Sequence, residues 1–218
     1  MFPVMLIGPV AASTILTASL EGKQGLRDLI SRLVKWKLPV TWYLCAFVSP
    51  CLMILVLLLL KNSISQAYSP NFFPLGFLFA VPAGFFEEIG WTGFALQRLL
   101  VKKKLIVAGT IVGALWGLWH LPVVDFLGAA SPHGKYLLPF FLSFAALLTA
   151  IRVLMAWVYS RTHSILIVQV MHIVFTGSLV MIGPATTSPA QETLWYAAYA
   201  GSLTLLVVLI LSFSVRSD

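Results

Sequence analysis

Seven apolar runs constrain the fold of this 218-residue chain more than any other feature of its sequence. Each run is close to the length of roughly 20 apolar residues that a helix needs to cross a bilayer. Backbone polar groups inside a bilayer must be satisfied within the protein, and a continuous apolar run does so as a helix. The sequence therefore predicts an all-α, polytopic membrane helix bundle with about seven transmembrane helices. The runs are residues 2–20, 39–60, 72–97, 105–124, 136–160, 164–182 and 193–214.

Charged residues are few, at 10% of the chain, and the basic ones lie mainly between particular runs. Five fall between the first and second runs and four between the third and fourth, whereas the alternate connections hold only Lys61 and Lys135. Basic residues mark the cytoplasmic side, so we expect the N-terminus outside and the C-terminus in the cytoplasm. The membrane is expected to be a bacterial or archaeal plasma membrane. The net charge of +7 is thus explained by topology. No nucleic-acid partner is expected, because basic and aromatic residues do not share a solvated face.

Residues 21–38 form an amphipathic segment between the first two runs. Its apolar residues recur at helical spacing and its basic residues lie on the other face, which predicts a helix in the membrane interface. An ordinary polar loop is the alternative. The chain shows no internal repeat or long linker, so residues 1–218 are expected to form one domain. The apolar residues of the segment are Leu26, Leu29, Ile30, Leu33 and Val34.

Five ionisable residues interrupt the runs, namely Glu87, Glu88, His120, Arg152 and His172. A charged residue at membrane depth costs about 2.5–3.5 kcal/mol on insertion scales, so each one suggests a function by default. At the rise of an α-helix, Glu87 and His172 lie about 16 Å from the cytoplasmic end of their runs, and His120 about 24 Å. We therefore expect a carboxylate and two imidazoles from three helices to converge.

A carboxylate with two histidines supports two kinds of hydrolysis. Glu87, His120 and His172 could hold a divalent metal such as zinc, with a fourth position left for water. Without any cofactor, the carboxylate could act as a general base on water while the imidazoles bind the developing oxyanion. Proton-coupled transport is a further alternative, because buried Glu and His also form proton relays. His133 and His163 lie outside the runs and are expected to be solvated bystanders.

Three short motifs carry a resemblance to a known family. "EEIGW", "WGLWHLP" and "MHIVFTGS" resemble the signature motifs of the CAAX-protease and bacteriocin-processing (CPBP, or Abi) intramembrane peptidases. They occur in the family's order, on the third, fourth and sixth runs. The stretch 8–44 also resembles the family's N-terminal region, so the likeness extends to about residue 181. The family commonly has eight helices, which leaves room for one before Met1.

The resemblance implies an intramembrane endopeptidase whose substrate is a peptide or membrane protein within the lipid bilayer. Glu87 matches the family's water-activating glutamate, and Glu88 matches its supporting neighbour. His120 matches the second motif, in which Trp116 replaces the family's phenylalanine. His172 matches the histidine of the third motif.

Two family positions are altered here. The arginine that follows the second glutamate by four residues is Thr92, and the asparagine of the third motif is Thr176. Thr176 still offers a hydroxyl donor for an oxyanion, whereas Thr92 brings no charge. These changes also favour the alternative of a non-catalytic immunity or scaffold protein with the same fold. Arg152 lies about as deep as Glu88, so we expect it to supply the missing charge from another helix; snorkelling to the interface is the alternative.

Overall fold

The computed structural model describes residues 2–122, 133–184 and 187–215. Over these ranges the chain forms a bundle of α-helices, and the prediction of an all-α fold is confirmed. A π-helical segment, Trp91–Leu96, joins the third and fourth helices. The helices are α1 (Phe2–Leu33), α2 (Val40–Ser63), α3 (Gly76–Gly90), α4 (Gln97–Lys102), α5 (Leu105–Trp119), α6 (Leu137–Thr162), α7 (Ile165–Ile182) and α8 (Pro189–Val215).

Each of the seven apolar runs contains a described helix. In the described part of the chain, α1, α2, α6, α7 and α8 are long and apolar enough to cross a membrane. Helix α5 is apolar but has 15 residues, and the third run is divided among α3, the π-helical segment and α4. The chain is therefore a polytopic, integral membrane protein.

Helix α1 breaks at Gly22, where φ is 62° and ψ is −152°. Glycine adopts this conformation readily because it has no Cβ. The break separates the first apolar run from the amphipathic segment, as the sequence predicts. The helix ends at Leu33, however, so the prediction that the amphipathic helix extends to residue 38 is wrong. Pro39 disfavours helical geometry for the residue before it, and residues 35–39 are non-helical.

Two glycines bring the central helices together at the level of the interrupting polar residues. A Cβ on Gly84 of α3 would lie 2.8 Å from the backbone nitrogen of Ile173 in α7. A Cβ on Gly113 of α5 would lie 2.6 Å from the Cα of Thr149 in α6. Small residues at such positions let membrane helices approach closely. The α3–α7 and α5–α6 contacts therefore fix where the polar side chains of these helices can meet.

Candidate functional site

Glu88 is the most completely bonded side chain at the centre of the bundle. The Arg152 guanidinium of α6 forms a bidentate pair with it, with Nη1 2.7 Å from Oε2 and Nη2 2.8 Å from Oε1. His172 of α7 donates from Nδ1 to Oε1 at 2.7 Å, and the Thr92 hydroxyl donates to Oε2. Glu88 and Arg152 are both 0% exposed. The predicted pairing is confirmed, and snorkelling of Arg152 is wrong.

Glu87, one residue earlier, has different surroundings. Its Oε2 accepts the indole N–H of Trp116 at 2.9 Å. No other hydrogen bond reaches its carboxylate from the described residues. The side chain is nevertheless buried, at 3% exposure. Glu87 thus has lone pairs available, whereas each carboxylate oxygen of Glu88 accepts two hydrogen bonds.

Trp116 of α5 lies between the catalytic candidates. Its ring centroid is 4.8 Å from that of His172 and 5.4 Å from that of His120. The guanidinium carbon of Arg152 lies over the same ring, 4.3 Å from its centroid. Glu87, His120 and His172 therefore surround one side chain, as expected from their depths. The sequence marked Trp116 only as the replacement for a phenylalanine, and its bond to Glu87 was not predicted.

The two histidines each use one ring nitrogen within the protein. Nδ1 of His120 lies 2.8 Å from the carbonyl oxygen of Trp116. A carbonyl and a carboxylate both accept hydrogen bonds, so Nδ1 carries the proton in His120 as well as in His172. This arrangement leaves Nε2 of each ring for other partners. His120 caps the end of α5 and is partly exposed, whereas His172 is buried.

The predicted metal ligands do not form a metal site in this arrangement. Among the described residues, no group of three or more His, Cys, Asp or Glu side chains is placed to hold an ion. Glu87 accepts a bond from Trp116, and His172 is bound to Glu88. These bonds leave one oxygen of Glu87 and Nε2 of each histidine without a partner among the described residues, so a zinc ion held by Glu87, His120 and His172 stays a prediction.

The π-helical segment that follows the glutamates was not predicted. Such segments are rare and occur frequently at functional sites. Ser13 of α1 donates its hydroxyl hydrogen to the carbonyl of Ile89 at 2.9 Å, and Arg32 reaches the carbonyl of Gly93 at 3.4 Å. Helix α1 thus satisfies one carbonyl just before the segment and one within it. The glycines of "EEIGWTGF" are the only sequence signal for this irregularity.

The remaining predicted residues lie away from the glutamates or are unbonded. Thr176 follows His172 by one turn, is partly buried and has no hydrogen-bond partner among the described residues. His163 is exposed, as predicted. His133 is not solvated: it is 5% exposed and its Nε2 lies 3.0 Å from Oε2 of Glu192. The prediction for His133 is wrong because Glu192, at the start of α8, provides a partner that the loop sequence does not reveal.

The part of the chain that matches a known protein family includes Glu87, His120 and His172. The family model described as type II CAAX prenyl endopeptidase Rce1-like matches residues 69–178. CAAX prenyl protease 2 of Methanococcus maripaludis is 34% identical over 135 residues, which cover 55% of this chain and 48% of the relative. The chain therefore spans about half the length of this curated relative.

Proposed function

Because the chain belongs to the type II CAAX prenyl endopeptidase Rce1-like family, we propose that it is an intramembrane endopeptidase that works with a glutamate-activated water. The observation that carries this proposal is the unequal bonding of the two glutamates. Glu88 has its oxygens fully engaged, whereas Glu87 accepts a single indole N–H. A general base must have a lone pair within hydrogen-bond reach of the proton that it removes. Glu87 meets that requirement and Glu88 does not.

In the proposed reaction, Glu87 takes a proton from a water whose oxygen attacks the carbonyl carbon of the scissile peptide. The carbonyl oxygen becomes an oxyanion, which needs donors aimed at it. Nε2 of His120 or His172, when the ring is protonated, is such a donor, and the Thr176 hydroxyl is another. Glu87 then returns the proton to the leaving amine as the C–N bond breaks. The water is consumed and Glu87 returns to its starting state.

Glu88 acts in this proposal through the groups that it holds. Its bond to His172 orients that ring, and its pair with Arg152 fixes a positive charge beneath Trp116. The family's motif places an arginine where this chain has Thr92. Arg152 brings a guanidinium to the same carboxylate from α6, so the Thr92 substitution does not leave Glu88 without a cation. This compensation favours an enzyme over a non-catalytic scaffold.

The first substrate to test follows from the name of the matched relative. A peptide with a farnesylated C-terminal CAAX sequence should be compared with the same peptide lacking the prenyl group, in purified protein reconstituted into vesicles. We expect cleavage by the wild type and none by Glu87→Gln. Cleavage that persists in Glu87→Gln would exclude Glu87 as the base. No cleavage of either peptide, or of a transmembrane reporter, would favour the non-catalytic alternative.

The cofactor is tested on the same active preparation. Turnover that survives chelation, in protein that carries no stoichiometric metal, would support the mechanism without a cofactor. Inactivation by a chelator that is reversed by zinc alone would instead support a metal held by Glu87, His120 and His172.

We also propose that the N-terminus faces the outside of a prokaryotic plasma membrane and the C-terminus the cytoplasm. The support is the unequal distribution of basic residues between alternate connections. In a chain whose native Cys45 and Cys51 are changed to serine, Lys135→Cys should react with an impermeant thiol reagent in intact cells. Labelling only after permeabilisation would reverse the topology.

A further inference from the structure

A second polar region lies at the end of the bundle where the basic residues of 21–37, 98–104 and 161 are found. A cavity of about 510 Å³ opens there between the amphipathic part of α1, the helix α4 and the C-terminal end of α6. This volume is in the range of small-molecule binding sites. The cavity lies apart from Glu87 and Glu88, and none of its lining residues belongs to the three family motifs.

One wall of the cavity carries the basic side chains of Arg32 and Lys35. Arg32 is 8% exposed; its Nη2 pairs with Asp28 at 2.9 Å and its Nη1 donates to the Tyr159 hydroxyl at 2.7 Å. Its Nε is buried and has no hydrogen-bond partner among the described residues. Lys35 is exposed, and the Ser164 hydroxyl fixes its backbone by donating to its carbonyl at 2.7 Å. The protein therefore holds Arg32 in place, and Lys35 is the exposed cation of this wall.

Helix α4 provides a second wall, which is apolar apart from Gln97. Leu100 and Val101 of α4 line it, and Val101 is 82% exposed. A free phosphate would contact only the basic wall and leave these side chains uncovered. An occupant with an anionic head and an apolar body contacts both walls. That combination is the chemistry of a phospholipid.

The charge around the cavity favours an anionic occupant. Residues 21–37, 98–104 and 161 contain ten basic and two acidic residues, a net charge of +8. Asp28 is the carboxylate that lines the cavity, and Arg32 already pairs with it. Basic pockets between transmembrane helices bind anionic lipid headgroups. We propose that this cavity binds the phosphate-bearing headgroup of an anionic phospholipid, with its acyl region against Leu100 and Val101.

The same arginine connects this site to the glutamates. Arg32 Nη1 also reaches the carbonyl of Gly93 at 3.4 Å, within the π-helical segment. The residue before Gly93 is Thr92, whose hydroxyl donates a hydrogen bond to Glu88. A headgroup bound beside Arg32 therefore adds a contact to the side chain that holds the segment supporting Glu88. Resting on the proposed endopeptidase function, the inference adds that anionic phospholipid raises the rate of cleavage.

The binding test compares two lysines of the same segment. Lys35 lines the cavity, whereas the exposed Lys37 does not. Full-length protein in nanodiscs of phosphatidylcholine, with or without phosphatidylglycerol, is analysed for retained lipid by native mass spectrometry. We expect the wild type to retain phosphatidylglycerol preferentially, Lys35→Gln to bind it about five-fold more weakly, and Lys37→Gln to resemble the wild type. Equal losses in both variants, or no preference in the wild type, would overturn the site.

Two further measurements are needed. One distinguishes a lipid headgroup from inorganic phosphate as the occupant, and the other tests whether the bound lipid raises the rate of cleavage. Millimolar inorganic phosphate should not displace the retained lipid; displacement would show that the cavity recognises phosphate alone. Cleavage should be faster in vesicles that contain phosphatidylglycerol, and Lys35→Gln should lose that difference while keeping the rate seen in phosphatidylcholine. Lipid retention is measured without turnover, so an inactive protein with selective retention refutes the proposed function and not the lipid site. An active protein without selective retention refutes only the lipid site.

Discussion

Glu87 and Glu88 are adjacent in the chain but lie in two different environments. Consecutive residues of a helix point about 100° apart, so Glu88 faces α6 and α7 while Glu87 faces α5. Glu88 accepts two bonds at each oxygen from Arg152, His172 and Thr92. Glu87 accepts one bond from Trp116. In the proposed mechanism, Glu88 therefore holds helices and charges in place, and Glu87 is left able to react.

Removal of Glu87 and removal of Glu88 should also have different effects on the stability of the protein. A buried charge pair contributes little compared with apolar packing, but removal of one partner leaves the other charge unpaired and is strongly destabilising. Glu88 and Arg152 form such a pair. Glu87 has no cation bonded to it among the described residues, so its removal leaves no charge stranded. Stability should therefore respond to Glu88 and much less to Glu87.

The largest effect is expected when each glutamate is replaced by glutamine. Glu87→Gln should lower turnover by about 10²–10⁴-fold, the usual cost of losing a general base, with an unchanged thermal midpoint. Glu88→Gln should lower the thermal midpoint as well, because Arg152 then lacks its counter-charge. Turnover and thermal unfolding in detergent measure the two effects. Equal destabilisation by both changes would remove the distinction between the two environments.

The second test removes the cation instead. Arg152→Ala should destabilise the protein by about 3–5 kcal/mol, because Glu88 becomes a buried, unpaired carboxylate. Adding Thr92→Arg should recover part of that loss, since Thr92 lies beside both groups and residues four apart share a helix face. Thr92→Lys is the matched control: it restores a charge without the planar fork of arginine. If Arg152→Ala unfolds like the wild type, the pair does not stabilise the fold.

The third test addresses the single bond to Glu87. Trp116→Phe keeps an aromatic ring beside the histidines but removes the N–H donor. A hydrogen bond to a charged group contributes about 1.5–3 kcal/mol, so we expect turnover to fall by about ten- to a hundred-fold. The thermal midpoint should fall as well, because the buried Glu87 carboxylate loses its hydrogen-bond donor. Unchanged turnover, with phenylalanine as in the family's motif, would show that the indole N–H does not assist Glu87.

Much of the arrangement around Glu88 could be predicted from the sequence. Helical rise fixes depth, and depth alone placed Arg152 level with Glu88. Helical periodicity placed Thr92 on the same face as Glu88. These inferences needed only that apolar runs become helices, which the bilayer enforces. The fold class and the convergence of three helices were predictable for the same reason.

Other features depend on how the helices are rotated and joined. The bond from Trp116 to Glu87 requires a particular rotation of α5 against α3, which short motifs do not specify. The π-helical segment changes the hydrogen-bond register without a clear change in composition, so its partners Ser13 and Arg32 were not predicted. The burial of His133 depends on a contact with α8, 59 residues away in the chain. Long-range contacts of this kind leave no local pattern in the sequence.

The smallest effects are expected at the histidines outside the centre, and they test whether the chemistry is confined to the Glu87 environment. His163→Gln should change neither turnover nor stability beyond a few-fold or a fraction of a kcal/mol, because the side chain is exposed. His133→Gln should leave turnover within a few-fold but lower stability by about 1–3 kcal/mol, the cost of disturbing a buried polar contact. His120→Ala, measured alongside, should abolish turnover. If His133→Gln lost as much turnover as His120→Ala, reactive groups would lie outside the Glu87 environment. The difference between the two glutamates would then explain only part of the reaction.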